Sequence, residues 1–133
     1  MRREIIAPGV APPISHYCDA VEANGFLFVS GCPATNESGD LVGGDDTAAQ
    51  CAQVLRNLGL ILAAAGCLPA DVVKVNVYLT DVDDRPLINP LRQAFFGESR
   101  PASTLVGVRE LPVPGMKVEI EAVAVLPDRF NRS

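Results

Sequence analysis

The sequence predicts a mixed helix-and-strand domain in which helices cover one face of a sheet, and three observations carry that expectation. The first is the stretch from Arg100 to Val125, which reads as a strand (Ser103 to Val108), a long turn and a strand (Met116 to Val125). Its middle holds Pro112, Pro114 and Gly115, which can continue neither a helix nor a central strand. The second is Asn24-Gly25, a hairpin-turn pair set between two short runs, Tyr17 to Val21 and Phe26 to Ser30. The third is an apolar stripe from Thr47 to Ala65 that is followed by a β-branched run from Val72 to Thr80. Strand, helix and strand in that order suggest a crossover packed on one sheet face.

Taken in order, Arg3 to Ile6 reads as a short edge strand that Ala7-Pro8-Gly9 ends. The hairpin follows, and its second arm runs into Ser30-Gly31-Cys32-Pro33, where a glycine leaves backbone open to a ligand and makes a pocket wall. Glu37 to Asp46 is a polar loop, and Asp45-Asp46-Thr47 supplies a helix cap. Ala48, Cys51, Ala52, Leu55, Leu58, Leu62 and Ala65 then recur every three or four residues, and Gly66 stops the helix. A second helix is expected from Arg85 to Phe96, with Asn89-Pro90 restricting its regular part to a start near Pro90, and with Phe95 and Phe96 as anchors. Within the last strand, Val118, Ile120, Ala122 and Ala124 share one face, while Lys117, Glu119, Glu121, Val123 and Val125 share the other. A carboxylate on a partly buried face must be paired, hydrogen-bonded or open to a cavity. Glu121, taken as the deeper of the two acids, is therefore the first candidate site residue. The tail from Pro127 to Ser133 is polar and expected to be loose.

Bulk properties narrow the function. With 133 residues, 48% of them hydrophobic, the chain has the size of one domain with a sizeable core. A net charge of -5 argues against nucleic-acid binding, which needs clustered Lys and Arg. Cys18, Cys32, Cys51 and Cys67 form no CxxC pair and there is a single histidine, so neither a structural metal nor a disulfide scaffold is expected. No cofactor is called for. No run approaches the ~20 apolar residues of a membrane span. Cytoplasmic placement and a small-molecule substrate are the expectation. A composition this apolar, with helices on one sheet face only, also predicts that the other face is buried between subunits of a trimer.

Ser30-Gly31, Asn89 with Phe95-Phe96, Arg100-Pro101-Ala102 and Val118-Glu119-Ile120-Glu121-Ala122, in this element order, resemble the RidA family of imine deaminases, once described as L-PSP proteins, over nearly the whole chain. The resemblance implies an α+β, chorismate-mutase-like two-layer fold, with a mixed sheet, two helices on one face, and a homotrimer with three pockets between subunits. It implies hydrolysis of an imine, tautomerised from an enamine, to ammonia and an oxo acid. Tyr17 matches the family's aromatic pocket residue, Gly31 its backbone contact, Asn89 its asparagine and Glu121 its carboxylate near the attacking water. Ser103 departs from the pattern, because family deaminases carry there an arginine that forks onto the substrate carboxylate. Leu105 stands where the family often has cysteine, which makes the pocket more apolar.

Each candidate also has an ordinary structural explanation. Glu121 can be a strand-end acid paired with Lys117, Tyr17 a half-buried aromatic, and Ser30 with Gly31 a turn entry. Cys32 can be an inert buried thiol, or a rim residue because it follows Gly31. His16, beside Tyr17, is more often a surface or interface histidine but is a secondary candidate for proton transfer, and Arg109 or Arg100 could stand in for the missing guanidinium. Two functions follow. One is a deaminase for an unsaturated amino acid or amine larger than 2-aminoacrylate, such as 2-aminomuconate, with Glu121 placing the water and Tyr17, Gly31 and Ser103 holding the substrate. The other is a trimeric binding or regulatory protein that has lost catalysis with the arginine.

Overall fold

The computed structural model describes residues Arg2 to Pro127; the expected loose tail beyond Pro127 lies outside the described residues. Strands β1 (Arg2–Ile5), β2 (Ala20–Ala23) and β3 (Phe26–Cys32) are followed by helix α1 (Thr47–Ala64). Then come β4 (Val72–Leu79), α2 (Arg85–Phe96), β5 (Ala102–Gly107) and β6 (Val118–Val125). The strands form one mixed sheet in the order β1-β2-β3-β6-β4-β5, with β4 and β5 parallel and every other pair antiparallel. Placing β6 between β3 and β4 makes the last strand the centre of the sheet, and helices packed on one side complete an α+β, two-layer fold.

Local chemistry accounts for the elements. Asn24 and Gly25 both have positive φ, 52° and 83°, as a tight two-residue hairpin turn requires. Asp46 caps α1 by accepting the Ala49 N–H at 3.1 Å, and Gly66 at φ 75° ends the segment. The central strand buries Val118, Ile120, Ala122 and Ala124 against α1, as its alternation predicts. Cys51, Val54, Leu55, Leu58, Ile61 and Leu62 supply the helix side of that core. No helix among the described residues is long and apolar enough to cross a membrane.

Several boundaries move, most by one or two residues. The hairpin's first arm starts at Ala20, because the Tyr17 N–H turns back to the Ser15 carbonyl and leaves Tyr17 in a loop. The last strand starts at Val118, because the Met116 N–H closes a turn on Val113 and the Lys117 N–H is taken by the Gln50 side chain at 2.7 Å. Helix α2 is regular from Arg85, not from Pro90. Pro90 follows Pro86 by four residues, so its missing N–H costs only the bond to the Pro86 carbonyl in the exposed first turn. The fifth strand ends at Gly107, so Arg109 lies beyond it and shares no strand face with Ser103.

Two polar residues sit inside the apolar stripe of α1. Gln50 is fully buried and donates to the carbonyls of Gly44 (2.7 Å) and Gly115 (2.9 Å) while accepting from Lys117. Asn57 donates to the carbonyls of Pro33 and Thr35, both at 2.9 Å. These side chains replace backbone partners that the loops before α1 and before β6 lack, and so hold those loops against the helix.

Candidate functional site

The two acids of β6 project from the sheet face that the helices leave open, and they have different surroundings. Glu121 lies opposite Asn76 on β4 and accepts from its amide at 3.2 Å; it also accepts a short hydrogen bond from the Tyr78 hydroxyl. That bond, ahead of burial and the nearby acids, pushes the Tyr78 phenol above its ordinary value. Glu119 instead lies across Gly31 of β3, where the pairing of β3 with β6 shifts register between Val29 and Cys32. A Cβ at Gly31 would come within 2.8 Å of the Glu119 Cδ, so the glycine makes the space the carboxylate occupies. Burial, and then the charge of Glu121, raise the Glu119 carboxyl above the usual carboxylate range.

Glu119, Gly31, Ser30 and Tyr17 line a cavity of about 510 Å³, whose walls are completed by apolar residues that include Val10, Ile14, Val113 and Met116. Its N-terminal wall is pinned by two bonds: the Ser30 hydroxyl donates to the Cys18 carbonyl at 2.7 Å, and the buried Asp19 carboxylate accepts the Ala7 N–H at 2.8 Å. Its other wall is formed by the loops that Gln50 and Asn57 secure. A raised carboxyl beside hydroxyl groups in a mostly apolar cavity is a stronger base than an ordinary carboxylate and can take a proton from water and pass it on.

A second cavity of about 500 Å³ lies where α2 meets the start of β5, lined by Asn89, Arg92 and Arg100 among others. Arg92 donates from Nη2 to the Ser103 hydroxyl at 2.8 Å. Within one chain, the structure thus gathers Tyr17, Ser30 and Gly31 in one place, and Asn89 with the Arg92–Ser103 pair in another.

Other candidates are relocated. Glu121 does not line the first cavity; its carboxylate is engaged by Tyr78 and Asn76, and of the two β6 acids the one that lines the cavity is Glu119, one pleat nearer the turn. Cys32 is fully buried and paired across from Ile120, not at the rim, and burial raises its thiol far above the reactive range. His16 is exposed and outside the cavity lining, although Ser15 and Tyr17 on either side are part of it. Leu105 packs against the core on the helix side of β5, and Arg109 is exposed and lines neither cavity.

Sequence reasoning passed over Glu119, Gln50, Asn57 and Arg92. Glu119 shared the face of Glu121, and only the β3–β6 register shows which of the two meets the glycine. Gln50 and Asn57 lie seven residues apart within the buried stripe, a spacing that could have drawn attention to them.

Comparison with known proteins agrees with this architecture. The family model described as Endoribonuclease L-PSP matches residues 8–126. A RutC family protein of Pyrococcus horikoshii is 41% identical over 93% of this chain and 98% of its own. A protein named 3-aminoacrylate deaminase RutC from Acinetobacter baylyi is 38% identical over 93% and 98%. The rat protein named 2-iminobutanoate/2-iminopropanoate deaminase is 39% identical over 92% and 90%. The crystal structure of RidA from a Psychrobacter species superposes with a TM-score of 0.86 at 34% identity, covering 92% of this chain and 98% of that one. With a family model spanning most of its length and relatives this similar end to end, the chain belongs to the L-PSP family, which is the RidA family its motifs resemble.

Proposed function

We propose that the chain is a hydrolytic deaminase of an enamine or imine, with Glu119 as the group that handles the water. The observation that carries this reading is the placement of Glu119 across Gly31, in a cavity that also holds Tyr17 and Ser30. The names of the similar proteins from Acinetobacter baylyi and rat support the reaction class.

In this reading an enamine first tautomerises to the imine, and Glu119 accepts a proton as the oxygen of water bonds to the imine carbon. That proton passes to the nitrogen to give the carbinolamine, whose hydroxyl proton Glu119 then carries to the same nitrogen as the C–N bond breaks, and ammonia leaves with a carbonyl product. A carboxyl raised by burial and by Glu121 is a stronger base than an ordinary carboxylate, which suits it to take the proton from water and hold it until the nitrogen receives it. Tyr17 and Ser30 orient the substrate from the loop and from β3. The apolar walls favour a substrate larger than 2-aminoacrylate, of the size of 2-aminomuconate.

The two groups of site residues, apart within one chain, become one site if a second copy brings its Asn89–Arg92–Ser103 region to the cavity of the first. Phe26, Phe28, Val106 and Val125 leave the open sheet face apolar, which supports burial of that face in a homotrimer. A cytoplasmic enzyme without a cofactor fits the chemistry, which needs only water and acid–base groups.

Ammonia release from 2-iminobutanoate, 3-aminoacrylate and 2-aminomuconate tests the proposal directly. Turnover of at least one substrate above the rate in water supports it. Binding without ammonia release from any of them would instead identify the binding or regulatory protein.

A further inference from the structure

Tyr78 and Asn76 lie outside the lining of the first cavity, and the reaction above does not use them. By register, Tyr78 on β4 stands directly opposite Glu119 on β6, and Asn76 stands opposite Glu121. Directly opposed side chains are the nearest cross-strand neighbours, yet the Tyr78 hydroxyl bypasses Glu119 and donates diagonally to Glu121. Asn76 gives Glu121 a second donor at 3.2 Å. Glu119 has no donor among the described residues, although the charges of both acids reach the Tyr78 phenol.

None of the other ionisable groups nearby evens out this difference. Lys74 shares the open face on β4 but donates to Thr104 at 2.9 Å, and Lys117 precedes β6. From β3 the face presents Phe26, Phe28 and Ser30, and the Asp19 carboxylate, which lines the same cavity as Glu119, accepts the Ala7 N–H. The Cys32 thiol, on the buried face, is raised far above the reactive range and stays neutral.

Two acids two residues apart on one strand face repel each other when both are charged. The one better supplied with donors keeps its charge, and the other is the one that takes a proton. We infer that Tyr78 is a positioning residue that divides the work between the two acids: with Asn76 it ties Glu121 down as a fixed anion outside the cavity, and so leaves Glu119 as the free, proton-accepting carboxylate inside it. The inference deepens the deaminase reading and rests on it for the reaction that Glu119 serves.

Titration of the Glu119 carboxyl carbon, followed by ¹³C NMR in glutamate-labelled protein and assigned by its loss in Glu119→Gln, tests this without requiring turnover. Tyr78→Phe keeps the ring and removes the hydroxyl, so Glu121 takes a proton more easily and its repulsion of Glu119 fades in the same pH range. The Glu119 midpoint should therefore move to lower pH, by about half a pH unit. Glu121→Gln should move it the same way and further, and Tyr78→Phe should add nothing in that background, because Tyr78 acts through Glu121. Asn76→Ala should give a smaller movement in the same direction. The acid limb of the turnover profile should follow each of these movements.

A Tyr78 that serves packing alone would leave the Glu119 midpoint where it is, whatever Tyr78→Phe does to thermal stability, and that result overturns the inference. So does a movement to higher pH, or one that persists undiminished in the Glu121→Gln background. If Tyr78→Phe does not fold, Asn76→Ala decides: an unmoved Glu119 midpoint overturns the inference. The expected movements in a protein that releases no ammonia would contradict the deaminase reading alone; turnover with a Glu119 titration indifferent to Tyr78 would contradict the division of work alone.

Discussion

Glu119 and Gly31 are fitted to each other across the β3–β6 pair: the carboxylate lies where a side chain at position 31 would stand, with 2.8 Å between its Cδ and the place of a Cβ. Gly31→Ala should therefore displace Glu119 without disturbing the core on the other sheet face. The expected outcome is a loss of turnover of about 100-fold or more, the scale of a misplaced general base, with a nearly unchanged circular dichroism spectrum. Full activity in this variant would show that the carboxylate need not occupy that space.

The raised Glu119 carboxyl has a pH signature. As the base it works only when ionised, so turnover should fall as pH drops through its value, at a higher pH than an ordinary carboxylate would give. Burial is the larger cause and Glu121 the smaller. Removing the second charge in Glu121→Gln should move the acid limb of the profile to lower pH, since Glu119 then ionises more easily. A pH–rate profile of the two proteins checks the sign.

Stability should respond most to the polar residues buried in α1. Gln50→Leu removes the partners of two carbonyls and one N–H at once, and is expected to cost ~2–4 kcal/mol in denaturant unfolding, at the rate typical of unmet buried groups. Asn57→Leu should cost ~1–3 kcal/mol by the same reasoning. Because both hold cavity walls, either variant should also raise KM.

The open sheet face carries the assembly prediction. Sedimentation equilibrium should give a trimer at micromolar concentration. Phe28→Glu, which places a charge at a 48% exposed position on that face, should shift it to monomer and abolish turnover if the site is shared between copies. A monomeric wild type with full activity would confine the site to one chain.

Much of the fold was legible because local signals and burial agreed. The Asn24-Gly25 turn, the Asp46 cap, the α1 stripe and the alternation of β6 each rest on a few adjacent residues whose preferences no distant contact overrides. The departures came where distant groups decided. Lys117 could not extend β6 because Gln50, 67 residues away, takes its N–H. The site was legible to the level of a strand face but not to the residue. Alternation put Glu119 and Glu121 together, whereas the choice between them depends on which faces Gly31 and which faces Tyr78, and that is a matter of pairing register. Arg92 was invisible for a related reason: only α2 packed beside β5 brings it to Ser103.

The central claim is that Glu119, not Glu121, handles the water, and the paired substitutions Glu119→Gln and Glu121→Gln test it most directly, measured as ammonia release from a substrate that the wild type turns over. Glutamine keeps the shape of each side chain and removes the base. The account predicts a loss of about 100-fold or more for Glu119→Gln and a distinctly smaller one for Glu121→Gln, both as folded as wild type. Wild-type turnover in Glu119→Gln, or a larger loss in Glu121→Gln, would contradict it.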